Sequence, residues 1–125
     1  MIWTVLQVAL GGAIGASGRY LTGVATLRIF GHGFPWGTLV VNVVGSFLMG
    51  VLIVMLATKG DNRLAPFLMT GVLGGYTTFS AFSLDALTLF ERGQVGTAAL
   101  YVAGTLVLTL SGIALGVMVA RGILA

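Results

Sequence analysis

The sequence predicts an all-α membrane protein with four transmembrane helices, the third of them broken at its centre. Of the 125 residues, 58% are hydrophobic and only 7% are charged, whereas about a quarter of the residues of soluble domains are charged. Four apolar segments approach the roughly 20 residues that a bilayer core requires. They form a single domain, 1–125, with spans at about 2–21, 37–57, 64–90 and 95–120.

The first span, from about Ile2 to Leu21, is rich in glycine along its second half. Gly11 and Gly15 have the GxxxG spacing that lets membrane helices approach closely, because packing drives helix association in lipid. Arg19 lies near the end of this span, where an interfacial arginine extending toward the headgroups is the simplest interpretation. The segment Thr22–Trp36 predicts a short interfacial helix or loop, with its tryptophan at headgroup depth.

The second span contains one conspicuous polar side chain, Asn42, within GTLVVNVVGS. An amide at that depth is costly unless its hydrogen bonds are satisfied. Two interpretations remain open: a contact between helices, which is common for asparagine in membranes, or a donor directed into a pore. The next residues, Thr58–Arg63, predict a tight polar turn.

The third span has the stretch GVLGGYTTFSAFS (71–83) at its centre. Its GGYTT segment (74–78) contains no strong helix former, which predicts a break in the helix. Backbone groups freed within a bilayer must be buried in protein or line a cavity. Beyond the break, one helix face carries phenyl rings and the adjoining face carries hydroxyls: Phe79 and Phe82, Ser80 and Ser83. The pattern indicates a functional site, and a glycine-kinked helix with aromatic packing is the alternative.

The fourth span carries hydroxyls along one face. Tyr101, Thr105 and Thr109 are four residues apart and therefore form a continuous track on a helix. Threonine hydroxyls in membrane helices often bond back to their own backbone carbonyls. The track alone is therefore weak evidence for a transport path.

Composition excludes several functions. Without cysteine the chain can form neither disulfides nor thiolate metal sites, and His32 has no second histidine with which to share a metal. The net charge of +3 is too dispersed to follow a nucleic-acid backbone. The N-terminal segment lacks the basic start of a cleavable signal and is interpreted as a retained span. We expect a membrane protein without enzymatic activity.

The basic residues are divided almost evenly between the two sides of the membrane. Four spans place the N-terminus, the second loop and the C-terminus on one side, with Lys59, Arg63 and Arg121. The other side carries Arg28 and Arg92, together with Arg19 if that side chain extends toward it. Such a balance fixes no orientation. It predicts insertion in both orientations and pairing of two opposed copies as an antiparallel, dual-topology homodimer.

Two families of small four-helix bacterial proteins insert in both orientations, the small multidrug transporters and the Fluc (CrcB) fluoride channels. The transporters require a glutamate in the first span, and the segment Ile2–Leu21 contains no acid. GTLVVNVVGS and TGVLGGYTTFSAFS resemble the signature segments of the Fluc family in order, spacing and residue type, and the resemblance covers essentially the whole chain. The alternatives are a proton-coupled multidrug or guanidinium-type exporter, for which Asp85 is the only candidate acid, and a structural subunit without transport.

The Fluc resemblance implies a channel that passively exports fluoride across the bacterial inner membrane, as a homodimer that requires no other protein partner. It implies that Phe79 and Phe82 line the fluoride pathway and that Asn42 is a pore amide. It also implies that the carbonyls of Gly74 and Thr77 hold a structural sodium ion at the dimer centre. The remaining assignments are the track Tyr101, Thr105 and Thr109, the hydroxyls of Ser80 and Ser83, and the accessory charges Arg19 and Asp85, the latter where many relatives have glutamate.

The chemistry of these side chains suits a small, strongly hydrated anion. A phenyl ring has a positive edge, so it can approach an anion without carrying a formal charge. Amide and hydroxyl groups add neutral donors. A fixed arginine in the path would bind too tightly, because conduction requires a site that the ion can leave.

Overall fold

The computed structural model describes residues 1–124, and every regular element within that range is helical. The all-helical fold predicted from the sequence is confirmed. Two helices are long and apolar enough to cross a membrane by length and composition, Trp36–Lys59 and Val95–Leu124. The elements in chain order are α1 (Ile2–Phe30), α2 (Trp36–Lys59), a π-helix (Pro66–Leu73), α3 (Gly74–Tyr76), α4 (Phe79–Glu91) and α5 (Val95–Leu124).

Helix α1 is longer than the sequence predicts. The interfacial segment expected over Thr22–Trp36 is wrong in its first part, because α1 continues without interruption to Phe30. The hydroxyls of Thr22 and Thr26 donate to backbone carbonyls one turn earlier, both at 2.9 Å, so these polar residues are satisfied inside the helix. The helix ends at Gly31, whose φ of 81° favours glycine.

Helices α2 and α5 pack together through glycine. A Cβ added at Gly50 would overlap the carbonyl oxygen of Ile113, and one at Gly116 would overlap that of Phe47. Contact between backbones is thus possible only because these positions lack a side chain. At 24 residues, α2 is about 36 Å long, enough to cross the roughly 30 Å hydrocarbon core of a bilayer.

Helix α1 packs in the same way against the π-helix, an element that the sequence does not predict. A Cβ at Gly11 would overlap the carbonyl oxygen of Phe67, and one at Gly15 would overlap that of Val72. The predicted GxxxG contact surface is therefore used within the chain. The wider turns of a π-helix, with i→i+5 hydrogen bonds, occur frequently near functional sites.

The polar turn after α2 is held by one exposed ion pair. Helix α2 extends through Lys59 and ends at Gly60, which has a φ of 68°. Arg63 donates from Nε and Nη2 to the carboxylate of Asp61, at 3.1 and 3.0 Å. These hydrogen bonds from the arginine side chain hold the pKa of Asp61 below its ordinary value.

Two residues between α3 and α4, Thr77 and Thr78, have extended backbone geometry, and we call them the junction. Thr77 has φ −84° and ψ 159°, and Thr78 has φ −154° and ψ 122°. The poor helix formers Gly74 and Gly75 nevertheless remain helical. A Cβ at Gly75 would lie 2.8 Å from the carbonyl oxygen of Gly12, so the absence of a side chain there serves close approach to α1.

Candidate functional site

The junction diverts the amide donors that two backbone carbonyls would have in a continuous helix. The N–H of Thr78 is the i+4 donor for the Gly74 carbonyl, but it donates to Asn42 Oδ1 at 2.8 Å. The N–H of Ala81 is the corresponding donor for the Thr77 carbonyl, and it donates to Thr78 Oγ1 at 3.1 Å. The carbonyls of Gly74 and Thr77 thus lose their ordinary partners.

Asn42 holds the junction with both parts of its amide. Its Nδ2 donates to the carbonyl of Thr78 at 3.0 Å, and its Oδ1 accepts the N–H of the same residue. An adjacent β-strand makes the same pair of bonds, so the side-chain amide stands in for a peptide group. Of the two interpretations of Asn42 left open by the sequence, the contact between helices describes these two hydrogen bonds to Thr78. Because an NH₂ group has two hydrogens, one N–H of Asn42 is not used on Thr78.

Helix α1 contributes two polar contacts just before the junction. The Nε of Arg19 donates to the carbonyl of Gly75 at 3.1 Å, which differs from the interfacial arginine expected from the sequence. The hydroxyls of Thr22 and Tyr76 lie 3.0 Å apart and share a hydrogen bond. The carbonyl of Gly75, unlike those of Gly74 and Thr77, therefore has a partner outside its own helix, the guanidinium of Arg19.

The two phenylalanines of α4 are neighbours in different surroundings. The centroids of Phe79 and Phe82 lie 5.5 Å apart, with the rings inclined at 65° in an edge-to-face arrangement. Phe82 is only 8% exposed, and its ring lies 5.3 Å from that of Tyr101. Phe79 is 76% exposed. One ring belongs to the core of the chain, and the other lies on its surface.

The hydroxyl track of α5 is buried for part of its length. Tyr101 is buried and donates its O–H to Asp85 Oδ2 at 3.2 Å. The hydroxyl of Thr109 donates back to the carbonyl of Thr105 at 2.7 Å, the self-contained bond that weakened this signal in the sequence. The hydroxyl of Thr105 itself is buried and has no hydrogen-bond partner among residues 1–124. A buried polar group without a partner is costly. Thr105 is therefore the position of the track whose hydroxyl remains available to a ligand.

The two serines of α4 are exposed beside Phe79. The hydroxyl of Ser83 donates to the carbonyl of Phe79 at 3.0 Å. The hydroxyl of Ser80 lies 3.3 Å from Thr78 Oγ1. Gly74 is also exposed. These residues form an exposed surface next to the junction.

A cavity of about 690 Å³ extends from the junction to the segment that connects α1 and α2. Thr78 and Arg19 line its walls together with Asp85, and His32 and Arg92 line it as well. No group of three histidine, cysteine, aspartate or glutamate side chains that could hold a metal ion occurs in the described part of the chain. The cavity therefore leaves open space beside the junction and beside the carboxylate of Asp85.

Comparison with known proteins identifies the family. The family model described as "CrcB-like protein, Camphor Resistance (CrcB)" matches residues 6–117. The chain belongs to the CrcB family. The resemblance found in the two signature segments is thereby confirmed.

Relatives in the CrcB family match this chain along nearly its whole length. A protein of Cereibacter sphaeroides (strain ATCC 17029 / ATH 2.4.9) is 66% identical over 122 residues, which cover 98% of each chain. A protein of Ruegeria sp. (strain TM1040) is 62% identical over 125 residues and 99% of each chain. A protein of Paracoccus denitrificans (strain Pd 1222) is 52% identical over 122 residues, again 98% of each chain. All three are named "Fluoride-specific ion channel FluC".

Within this CrcB chain, the structure brings only some of the sequence-predicted residues together. Asn42 lies against the junction, and Phe82, Tyr101 and Asp85 form a connected group beside it. Phe79, Ser80, Ser83 and Gly74 are exposed instead. Sequence reasoning missed Gly45, which contacts Thr77. Its spacing of three from Asn42 was the available signal, because that spacing puts both residues on one helix face.

Proposed function

We propose that this chain forms a fluoride-selective channel through which fluoride leaves the cell passively. The observation that carries the proposal is the 66% identity, over 98% of both chains, to a protein named as a fluoride-specific ion channel. The residues predicted to line the pathway agree with that activity. They offer an anion phenyl edges, an amide N–H and an unpaired hydroxyl, all of them neutral groups.

The proposed channel spans the bacterial inner membrane with four crossings. Helices α2 and α5 have the required length and apolarity. Helix α1 supplies another crossing, and the π-helix, α3 and α4 together supply the third span, interrupted at the junction. The non-helical backbone there is compatible with a bilayer because Asn42 satisfies both backbone groups of Thr78 within the protein, and the carbonyl of Thr77 is left for the cation proposed below.

The proposed pathway runs along Phe82 and Phe79, past Asn42 and the α5 track. We assign the unused N–H of Asn42 and the hydroxyl of Thr105 as the donors that replace water around fluoride, because neither has a protein acceptor among residues 1–124. The hydroxyl of Tyr101 is engaged by Asp85. In this proposal Tyr101 forms a wall of the pathway, and Asp85 orients it. Ser80, Ser83 and Thr109 continue the pathway as secondary hydroxyl positions.

We further propose that two copies pair in opposite orientations. The nearly equal numbers of basic residues on the two sides favour dual insertion. Phe79 is 76% exposed beside the polar groups of the junction, and a second copy would bury this ring. The pathway would then be completed at the interface between the copies.

The same pairing suggests a structural sodium ion between the two junctions. The carbonyls of Gly74 and Thr77 have lost their helical donors, and two copies would offer four such oxygens. Oxygen ligands suit a hard cation. A monovalent ion fits better than calcium because the GGYTT segment contains no carboxylate. The ion would fix the two copies against each other, whereas the contacts with fluoride are made by side chains.

Proton coupling separates this proposal from the multidrug-type alternative. The purified protein is reconstituted in liposomes, and the initial fluoride flux at matched fluoride gradients is measured with the pH gradient set in either direction. A channel conducts in the direction of the electrochemical gradient of fluoride in both cases and moves no guanidinium. Guanidinium uptake driven by the proton gradient, without fluoride flux, would contradict the proposal.

A further inference from the structure

Gly45 lies one turn after Asn42 on α2 and faces the first residue of the junction. A Cβ added at Gly45 would overlap Thr77 Cγ2. The other near atoms, Tyr76 Cδ2 at 3.5 Å and Thr77 Cβ at 3.7 Å, lie at ordinary van der Waals distances. The γ-methyl group of Thr77 therefore fills the space that a side chain at position 45 would need.

This methyl group cannot turn away without breaking the hydrogen bond of the Thr77 hydroxyl. Both the N–H and the hydroxyl of Thr77 donate to the carbonyl of Leu73, each at 3.0 Å. Threonine has few χ1 rotamers because its Cβ is branched, so fixing the hydroxyl also fixes the methyl group. A residue larger than glycine at position 45 would have to move Thr77 itself.

Glycine at position 45 has no conformational purpose of its own. Positive φ angles among the glycines of residues 1–124 occur at Gly31, Gly60 and Gly93, whereas Gly45 lies inside α2. In a helix interior glycine is less favourable than alanine. Helix propensity alone therefore predicts that alanine at position 45 would stabilise α2, and the contact with Thr77 predicts the opposite.

We propose that Gly45 is a positioning residue that, together with Asn42, shapes the junction for conduction. The two residues lie on one face of α2 and contact consecutive residues, Gly45 the methyl group of Thr77 and Asn42 the backbone of Thr78. Helix α2 is thus the template that keeps Thr77 at ψ 159° and turns its carbonyl out of the helical direction. The inference rests on the proposed channel function for its flux measurement.

A double-mutant cycle tests this role, because Thr77→Ser removes only the methyl group that Gly45 accommodates. Fluoride efflux per folded protein is measured for the native chain, Gly45→Ala, Thr77→Ser and the double variant. We expect Gly45→Ala to lower flux about tenfold in the native background and less than about twofold in the Thr77→Ser background, a coupling within the range found for residues in contact. Gly12→Ala is the matched control, because a Cβ there meets nothing within 4 Å.

Thermal unfolding of the same four proteins separates positioning from packing. Equal loss of flux in both backgrounds would overturn the proposal, as would a stability loss in Gly45→Ala with native flux per folded protein. If Gly45→Ala does not fold, recovery of folding in the double variant supports the proposed contact between Gly45 and the Thr77 methyl group. Failure of both variants to fold contradicts it. Absence of fluoride flux in the native chain would refute the proposed function. The unfolding temperatures of the four proteins would then test only whether Gly45 and Thr77 are in contact.

Discussion

Replacement of Asn42 tests whether its amide holds the junction. Asn42→Asp keeps an oxygen that accepts the N–H of Thr78 but replaces the Nδ2 donor with a second oxygen, which faces the Thr78 carbonyl. Asn42→Leu has similar bulk and removes both hydrogen bonds. The two variants therefore remove one and two of the bonds that connect α2 to the junction.

The expected losses follow from these bonds. A buried backbone group left without its partner costs about 1–3 kcal/mol. Asn42→Asp removes one of the hydrogen bonds to the Thr78 carbonyl, which as the N-cap carbonyl of α4 still accepts the N–H of Phe82; the lost bond predicts about 0.5–1.5 kcal/mol before repulsion between the two oxygens is added. Asn42→Leu also leaves the Thr78 N–H without a partner, which adds about 1–3 kcal/mol and brings its loss to about 1.5–4.5 kcal/mol. Both variants should be less stable than the native protein, and burial of an unpaired carboxylate at position 42 adds a further cost to Asn42→Asp.

The measurement combines the free energy of unfolding in detergent with fluoride efflux per folded protein. Both variants should stop flux, because each also removes the N–H that is proposed to meet fluoride. Native stability in both variants would show that the hydrogen bonds to Thr78 do not hold the junction. Native flux per folded protein in either variant would remove Asn42 from the pathway.

The remaining predictions concern the rings, the hydroxyl track and the orientation. Phe79→Ile and Phe82→Ile remove the positive ring edge, and both should strongly lower fluoride efflux. Only Phe82→Ile should destabilise the single chain, because that ring is buried. Native flux in both variants would contradict the proposal that the rings line the pathway. Thr105→Val removes an unpartnered buried hydroxyl, so thermal stability should be retained or rise while efflux falls, and unchanged efflux would contradict its role. Thr58→Arg at the end of α2 combined with Asn62→Arg in the second loop adds two charges on one side of the membrane and should bias orientation in a reporter assay and reduce efflux, with recovery by an oppositely biased copy; a uniformly oriented native protein would contradict dual topology.

Hydropathy predicted the long helices because apolar length is a local property of the chain. Helix α2 begins and ends within two residues of its predicted span, and α5 begins where predicted and continues to Leu124. The extension of α1 to Phe30 was not predictable in this way. Threonine is a weak helix former, yet Thr22 and Thr26 lie within the extension with their hydroxyls bonded to carbonyls of the same helix.

The junction was harder to predict because it depends on contacts between distant parts of the chain. Low helix propensity marked residues 74–78 as a break, yet only Thr77 and Thr78 are extended. Packing against α1 keeps Gly75 helical, and tertiary contacts commonly override propensity in this way. The two interpretations of Asn42 could not be separated from the sequence, because its partner Thr78 lies 36 residues away.

Arg19 illustrates the same limit. Its position near the end of an apolar segment favours an interfacial side chain, and only the fold brings the carbonyl of Gly75 within hydrogen-bond distance. Gly45 was overlooked because a glycine within a membrane helix is ordinarily explained by helix packing. The atom that it accommodates, Thr77 Cγ2, is known only once α2 lies against the junction.

The central claim is selective conduction of fluoride, and efflux from liposomes that contain only this protein tests it most directly. Liposomes are loaded with equal concentrations of fluoride and chloride, potassium is made permeant with valinomycin, and ion-selective electrodes follow the release of both anions. The account predicts rapid, complete release of fluoride from protein-containing vesicles, with chloride retained as in protein-free vesicles. Retention of fluoride, or release of both anions at similar rates, would contradict it.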